Sequence, residues 1–146
     1  MSRSAIVARP IDPGALFTEV SSIGCGAVSL FLGTVRDTSD GQGVTGIDYT
    51  AYAAMAEAEL GRIVAEAVQR FTGLSVVVEH RVGMLGLGEI SVGIAAAHQH
   101  RAPALDAVRY VIEEVKKRVP VWKLEHYTGG TRSWVDPTSR HSEVRA

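Results

Sequence analysis

Lys116-Lys117-Arg118-Val119-Pro120-Val121-Trp122-Lys123-Leu124-Glu125 compresses a helix end, a corner and a strand start into one short stretch. Upstream of it, Leu105, Val108, Val111, Ile112 and Val115 recur at helical spacing. Pro120 cannot continue that helix, because it lacks an N–H and its ring clashes with the preceding turn. From Val121 the alternation predicts a strand, with Trp122 and Leu124 on one face and Val121, Lys123 and Glu125 on the other. The corner gathers four cations. Basic residues near a helix C-terminus complement the negative end of its dipole, which accounts for Lys116, Lys117 and Arg118 without any function. Lys123, midway along a strand among apolar neighbours, fits that explanation least well. Two lysines seven residues apart can therefore converge on an anion from two elements.

The rest of the chain supplies the partners of this helix and strand. Residues 4–9 predict a first strand, and Asp12-Pro13 gives an N-cap and a first-turn proline for a short helix to about Val20. Ala27 to Val35 reads as a strand, Asp37 to Gly43 as a polar, mobile loop, and Ile47 to Tyr52 as the next strand. Ala53 to Phe71 carries Leu60, Ile63, Val64, Ala67, Val68 and Phe71 on one helical face. Leu74 to Arg81 and Glu89 to His98 read as strands joined by a tight connection at Gly83, Gly86 and Gly88. The second long helix spans about Ala102 to Val119. The order β-α-β-β-α-β-β-α-β predicts an α+β fold: a mixed, largely antiparallel sheet with two long helices and a short N-terminal one. One domain over 1–136 and a polar tail over 137–146 are expected.

A chain of 146 residues can bury roughly 68–70% of its unfolded surface and needs no disulfide to fold. The net charge of −1 argues against coating nucleic acid or an anionic membrane, so any preference for anions must be local. Cys25 is the only cysteine, which excludes an internal disulfide and a multi-cysteine zinc site. No run of 18 apolar residues and no signal peptide is legible, so a soluble, cytoplasmic protein without nucleic-acid or membrane partners is expected.

Several residues outside the corner could carry chemistry. His98-Gln99-His100-Arg101 ends a strand and opens a helix, where backbone N–H groups and the positive helix end favour anions, although the same residues could simply serve the helix start. His98 and His100 share a strand face as two metal ligands would, but no third ligand stands nearby, and no metal site is expected. Arg36 closes the strand Phe31-Leu32-Gly33-Thr34-Val35 with a guanidinium suited to phosphate or carboxylate. Cys25 reads as structural. The three glycines near 86 precede a strand, so they form no dinucleotide fingerprint. Tyr49, Tyr52 and Met55 could line a pocket for a flat heterocycle or belong to the core.

Taken in order, Phe31–Arg36, Tyr49–Met55, His80–Glu89, His100-Arg101 and Lys116–Glu125 resemble the large, catalytic subunit of molybdopterin synthase, collinearly over roughly residues 5–136. The resemblance implies an α/β hammerhead-type fold and a homodimer of large subunits. A small ubiquitin-like sulfur-carrier subunit would bind at each outer end, giving a heterotetramer. It implies a sulfurtransferase of molybdenum cofactor biosynthesis that converts cyclic pyranopterin monophosphate to molybdopterin by forming a dithiolene. The sulfur would come from the carrier's C-terminal Gly-Gly thiocarboxylate, with no metal or cofactor of the enzyme's own.

Carried over residue by residue, Lys116 and Lys123 are the expected catalytic pair. Arg36, His100, Arg101, Lys117 and Glu125 are expected to hold substrate, with Glu125 orienting Lys123. Clustered cations would offset the repulsion between an anionic pterin and an anionic sulfur donor. Leu105 stands where relatives often carry an aromatic residue, and Thr34 where they often carry lysine, which bears on pocket detail. Arg132 or Arg140 is the candidate for reaching into a neighbouring subunit's site. The competing expectation is a non-catalytic anion- or carrier-binding module of the same fold.

Overall fold

The computed structural model of the chain describes residues 2–135; the tail from Pro137 and, with it, Arg140 lie outside the described residues. The elements are β1 (Arg3–Val7), α1 (Pro13–Val20), β2 (Ala27–Thr34), β3 (Thr38–Ser39), β4 (Gln42–Ala51) and α2 (Ala53–Arg70). They continue with β5 (Ser75–Arg81), β6 (Gly83–Gly86), β7 (Ile90–His98), α3 (Arg101–Arg118), β8 (Val121–Tyr127) and β9 (Arg132–Val135).

The architecture is α+β, and the strands divide into two sheets. The first has the order β1-β5-β7-β2, parallel between β1 and β5 and antiparallel elsewhere. The second runs β3-β4-β8-β9 with β6 also paired to β4, and all its pairs are antiparallel. Alternation along β5 shows how the first sheet is covered. Val76 and Val78 point into the main core with Leu60, Ile63, Val108 and Val111 of α2 and α3, whereas Val77 points to a smaller core with Leu16 and Val20 of α1. A strand so placed is covered on both faces, which is why β5 carries the unbroken run Val76-Val77-Val78 and β7 is apolar or small along nearly all its length.

The short N-terminal helix starts as its sequence dictates: Asp12 accepts from the backbone N–H groups of Gly14 (3.0 Å) and Ala15 (3.4 Å), and Pro13 opens the first turn. The two long helices are fastened by Arg118. Its guanidinium donates to Glu59 (2.6 Å) and Glu66 (2.7 and 3.0 Å) of α2 and to Glu114 (3.2 Å) of its own helix.

Four expectations need correction. The polar loop 37–43 is a hairpin, because Asp40 (φ 49°) and Gly41 (φ 80°) adopt the left-handed turn that lets Ser39 pair with Gln42. The glycine connection after Arg81 contains strand β6, whose two glycines conceal its strand character. A further strand, β9, completes the second sheet. Leu105 lies 58% exposed on α3, and Ala104 and Ala107 take the buried positions instead.

β2 is one edge of the first sheet, opposite β1. All of β7 between its two end residues is buried, while no residue of β2, beside it, is fully buried.

Candidate active site

α3 ends at Arg118, Val119 turns the chain, and β8 begins one residue after Pro120. Lys116 thus projects from the last turn of a core helix, and the β8 strand presents Val121, Lys123, Glu125 and Tyr127 in one inward row. Tyr49 stands beside Lys123 in the same sheet, and the first sheet contributes Phe31, Gly33 and Ser91 of β2 and β7, with Arg36 from the segment after β2. Together they enclose a cavity of about 220 Å³. The cations lining it are Lys116, Lys123 and Arg36, and the carboxylate lining it is Glu125. Such a hollow is electrostatically suited to an anion.

The two lysines differ in their surroundings. Burial, and then the charge of Lys123, push the Lys116 amine below the ordinary lysine range. Lys123 stands 3.7 Å from Glu125 Oε2. Glu125 itself is buried, and its oxygens accept from the Tyr127 hydroxyl (2.8 Å) and the Ser39 hydroxyl (3.1 Å). Ser39 reaches it from the β3–β4 hairpin, so that hairpin forms part of the pocket rim.

Behind this wall lies His80, whose imidazole burial pushes down to about 4. Its Nδ1 lies 3.0 Å from the Arg81 carbonyl, so that nitrogen carries the proton in the neutral ring. The ring meets Tyr49 edge-on, with centroids 5.4 Å apart. Burial also raises the Tyr49 phenol, an effect the Glu125 charge reinforces and a Ser91 hydrogen bond opposes.

Of the residues expected from sequence, Arg36, Lys116, Lys123 and Glu125 come together. Lys117 does not: it is exposed and lies 3.6 Å from Glu114 on the helix surface. His100 and Arg101 open α3 beside Gly26, in a separate hollow. The register explains the separation. Ala27 of β2 pairs with His98 while Thr34 pairs with Ile90, so the two cationic groups stand at opposite ends of one strand, roughly 25 Å apart at the usual rise. Arg132 pairs with His126 on β9, away from the lining.

His98 has a different role from metal binding: its Nδ1 accepts from the His100 N–H (3.0 Å) and its Nε2 donates to the Thr72 carbonyl (2.9 Å). Both ring nitrogens are thereby committed to holding the strand end. Tyr49 lines the pocket, whereas Tyr52 and Met55 are exposed. Tyr127 and Ser39 were not among the expected residues. Tyr127 follows Glu125 at the strand period and could have been read from it; Ser39 carries no signal, because only the hairpin brings it there.

The family model of the MoaE protein matches residues 6–118. The molybdopterin synthase catalytic subunit of Thermoplasma volcanium is 40% identical over 129 residues, covering 88% of this chain and 94% of that protein. Among solved structures, molybdopterin synthase from Staphylococcus aureus superimposes with a TM-score of 0.85 at 34% identity, covering 89% of this chain and 94% of that one. A complex of subunits 1 and 2 of the molybdopterin-converting factor from Helicobacter pylori shares the fold, with a TM-score of 0.72 at 22% identity over 88% of this chain and 87% of that one. With a family match over most of its length and these relatives, the chain belongs to the MoaE family of molybdopterin synthase catalytic (large) subunits.

Proposed function

We propose that this protein transfers sulfur to cyclic pyranopterin monophosphate, forming the dithiolene of molybdopterin with the C-terminal thiocarboxylate of a small carrier subunit as donor. The observation that carries the reading is the enclosure of Lys116, Lys123 and Arg36 around one cavity with Glu125 as the carboxylate among them. Both reactants are anions, and bringing them together in a partly dehydrated site requires cations already in place. Arg36 offers a planar fork to the phosphate. Lys123, on a strand, offers a fixed charge. Lys116, with its amine lowered by burial and by Lys123, exchanges its proton more readily than an exposed lysine and is the group for proton transfer at the reacting terminus.

His100 and Arg101 belong to this reading through a second copy of the chain. Antiparallel pairing of two β2 edges about a twofold axis would set the Ala27 end of one strand against the Thr34 end of the other, and so one copy's His100 and Arg101 near the second copy's Arg36. The partly exposed β2 supports that pairing.

The test is turnover of cyclic pyranopterin monophosphate with thiocarboxylated carrier. Dithiolene product from the wild type, severely reduced in Lys116→Ala, is expected. Binding of both reactants without product would assign the pocket to a non-catalytic module.

A further inference from the structure

The Glu125 carboxylate is close to Lys123 without being closed upon it. Their separation of 3.7 Å exceeds the 2.7–2.9 Å of a direct ammonium–carboxylate hydrogen bond. In a buried setting the two charges attract more strongly than in water, and closing the gap would be favourable unless something restrains the carboxylate. The restraint is visible. Tyr127 donates to Oε1 at 2.8 Å and Ser39 donates to Oε2 at 3.1 Å, so each oxygen is held by a hydroxyl. The anchors come from different elements, Tyr127 from β8 and Ser39 from the β3–β4 hairpin, so the carboxylate is held from two directions of the chain.

We propose that Tyr127 and Ser39 are positioning residues that hold the Glu125 carboxylate back from Lys123, leaving the Lys123 ammonium open to an incoming anion. The proposal rests on the sulfur-transfer reading for what that anion is. A carboxylate is needed nearby to offset the charge of clustered cations in a buried wall, yet one in direct contact would occupy the donors the substrate requires. A restrained carboxylate at intermediate distance meets both demands. Tyr127 suits the task because the strand period places it next to Glu125 in the same inward row, and because it is buried and cannot exchange this bond for water.

Tyr127→Phe removes the hydroxyl at nearly constant volume. Its kcat/KM is expected to fall about tenfold, mainly through KM for the anionic reactant, as Glu125 closes on Lys123. The diagnostic variant is Tyr127→Phe/Glu125→Gln, in which the neutral amide has no charge with which to grip the ammonium. The double variant is expected to be more active than Tyr127→Phe alone, a reversal that a purely structural role for Tyr127 would not produce.

A second readout needs no turnover. Limited acetylation by acetic anhydride, followed by mass spectrometry with exposed Lys117 as internal standard, should show Lys123 less reactive in Tyr127→Phe and restored in the double variant. Unchanged Lys123 labelling in Tyr127→Phe, or a double variant no better than that single one, would overturn the proposal. If the wild type forms no dithiolene at all, the proposed reaction fails while the labelling still decides the positioning role.

Discussion

Lys116 and Lys123 line one cavity, and burial together with the charge of the second lowers the proton affinity of the first. The helix end that carries Lys116 leads to the strand that carries Lys123 through Val119 and Pro120 alone, which keeps the two backbones close.

That repulsion and burial predict a trade between activity and stability. Lys116 has a folded-state proton affinity below its unfolded value, so the charged form is penalised by folding. The penalty is fully present at pH below the depressed folded value and disappears as pH rises to the unfolded one. Lys116→Met should abolish turnover and raise the denaturation midpoint at neutral pH. Against wild type, the gain should shrink as the pH approaches 10.5, which urea titrations at pH 7 and pH 10 would record.

Subunit mixing tests whether His100 and Arg101 act across copies. Lys116→Ala and Arg101→Ala are each expected to be nearly inactive, the proposed pairing giving every site one residue from each copy. After co-refolding, the mixed dimer contains one site with an intact pocket and the intact Arg101 of the other chain. Activity should return in the mixture; if both residues served the same chain's site, mixing would restore nothing.

His80 makes stability depend on pH below neutrality. Burial holds its folded value at about 4 against 6.5 unfolded, so the unfolded chain takes up a proton that the folded one refuses. Stability should therefore fall as pH drops from 6.5 towards 4, by about 2 kcal/mol at pH 5 for this group. In His80→Phe the loss between pH 7 and pH 5 should be much smaller, as chemical denaturation at the two values would show.

Gly33 bears on pocket shape. A Cβ there would come within 2.7 Å of Val92 Cγ1, and both residues line the cavity. Gly33→Ala is expected to cost about 1–3 kcal/mol by overpacking. It should also weaken substrate binding, because Val92 can yield only by shifting within the pocket wall; a thermal melt and a KM measurement check the two effects.

The helices and most strands of the first sheet were legible from apolar patterns long enough to declare their period, and the cap at Asp12 from the proline that follows it. β6 was hidden by Gly83 and Gly86, and β3 by a hairpin whose turn depends on Asp40 adopting a left-handed backbone. Lys116, Lys123 and Glu125 could be paired from sequence because helix end, proline and strand alternation fix their directions within ten residues. Arg36 joined them through the family resemblance, not through any local pattern. The distance of His100 from that group was illegible, since it follows from the β2–β7 register, a property of two strands far apart in the chain. Leu105 misled because its spacing suits a buried stripe, while the closely packed helix–sheet contact at that turn takes Ala104 and Ala107 instead.

The β2 segment Ala-Val-Ser-Leu-Phe-Leu-Gly-Thr contains no charged residue and no proline along its unpaired side. Nothing in that stretch discourages indiscriminate strand addition, so chains kept from self-association would be prone to form insoluble ribbons. Anyone seeking a well-behaved monomer should therefore introduce a lysine at Leu30, where the side chain already reaches water, instead of relying on dilution.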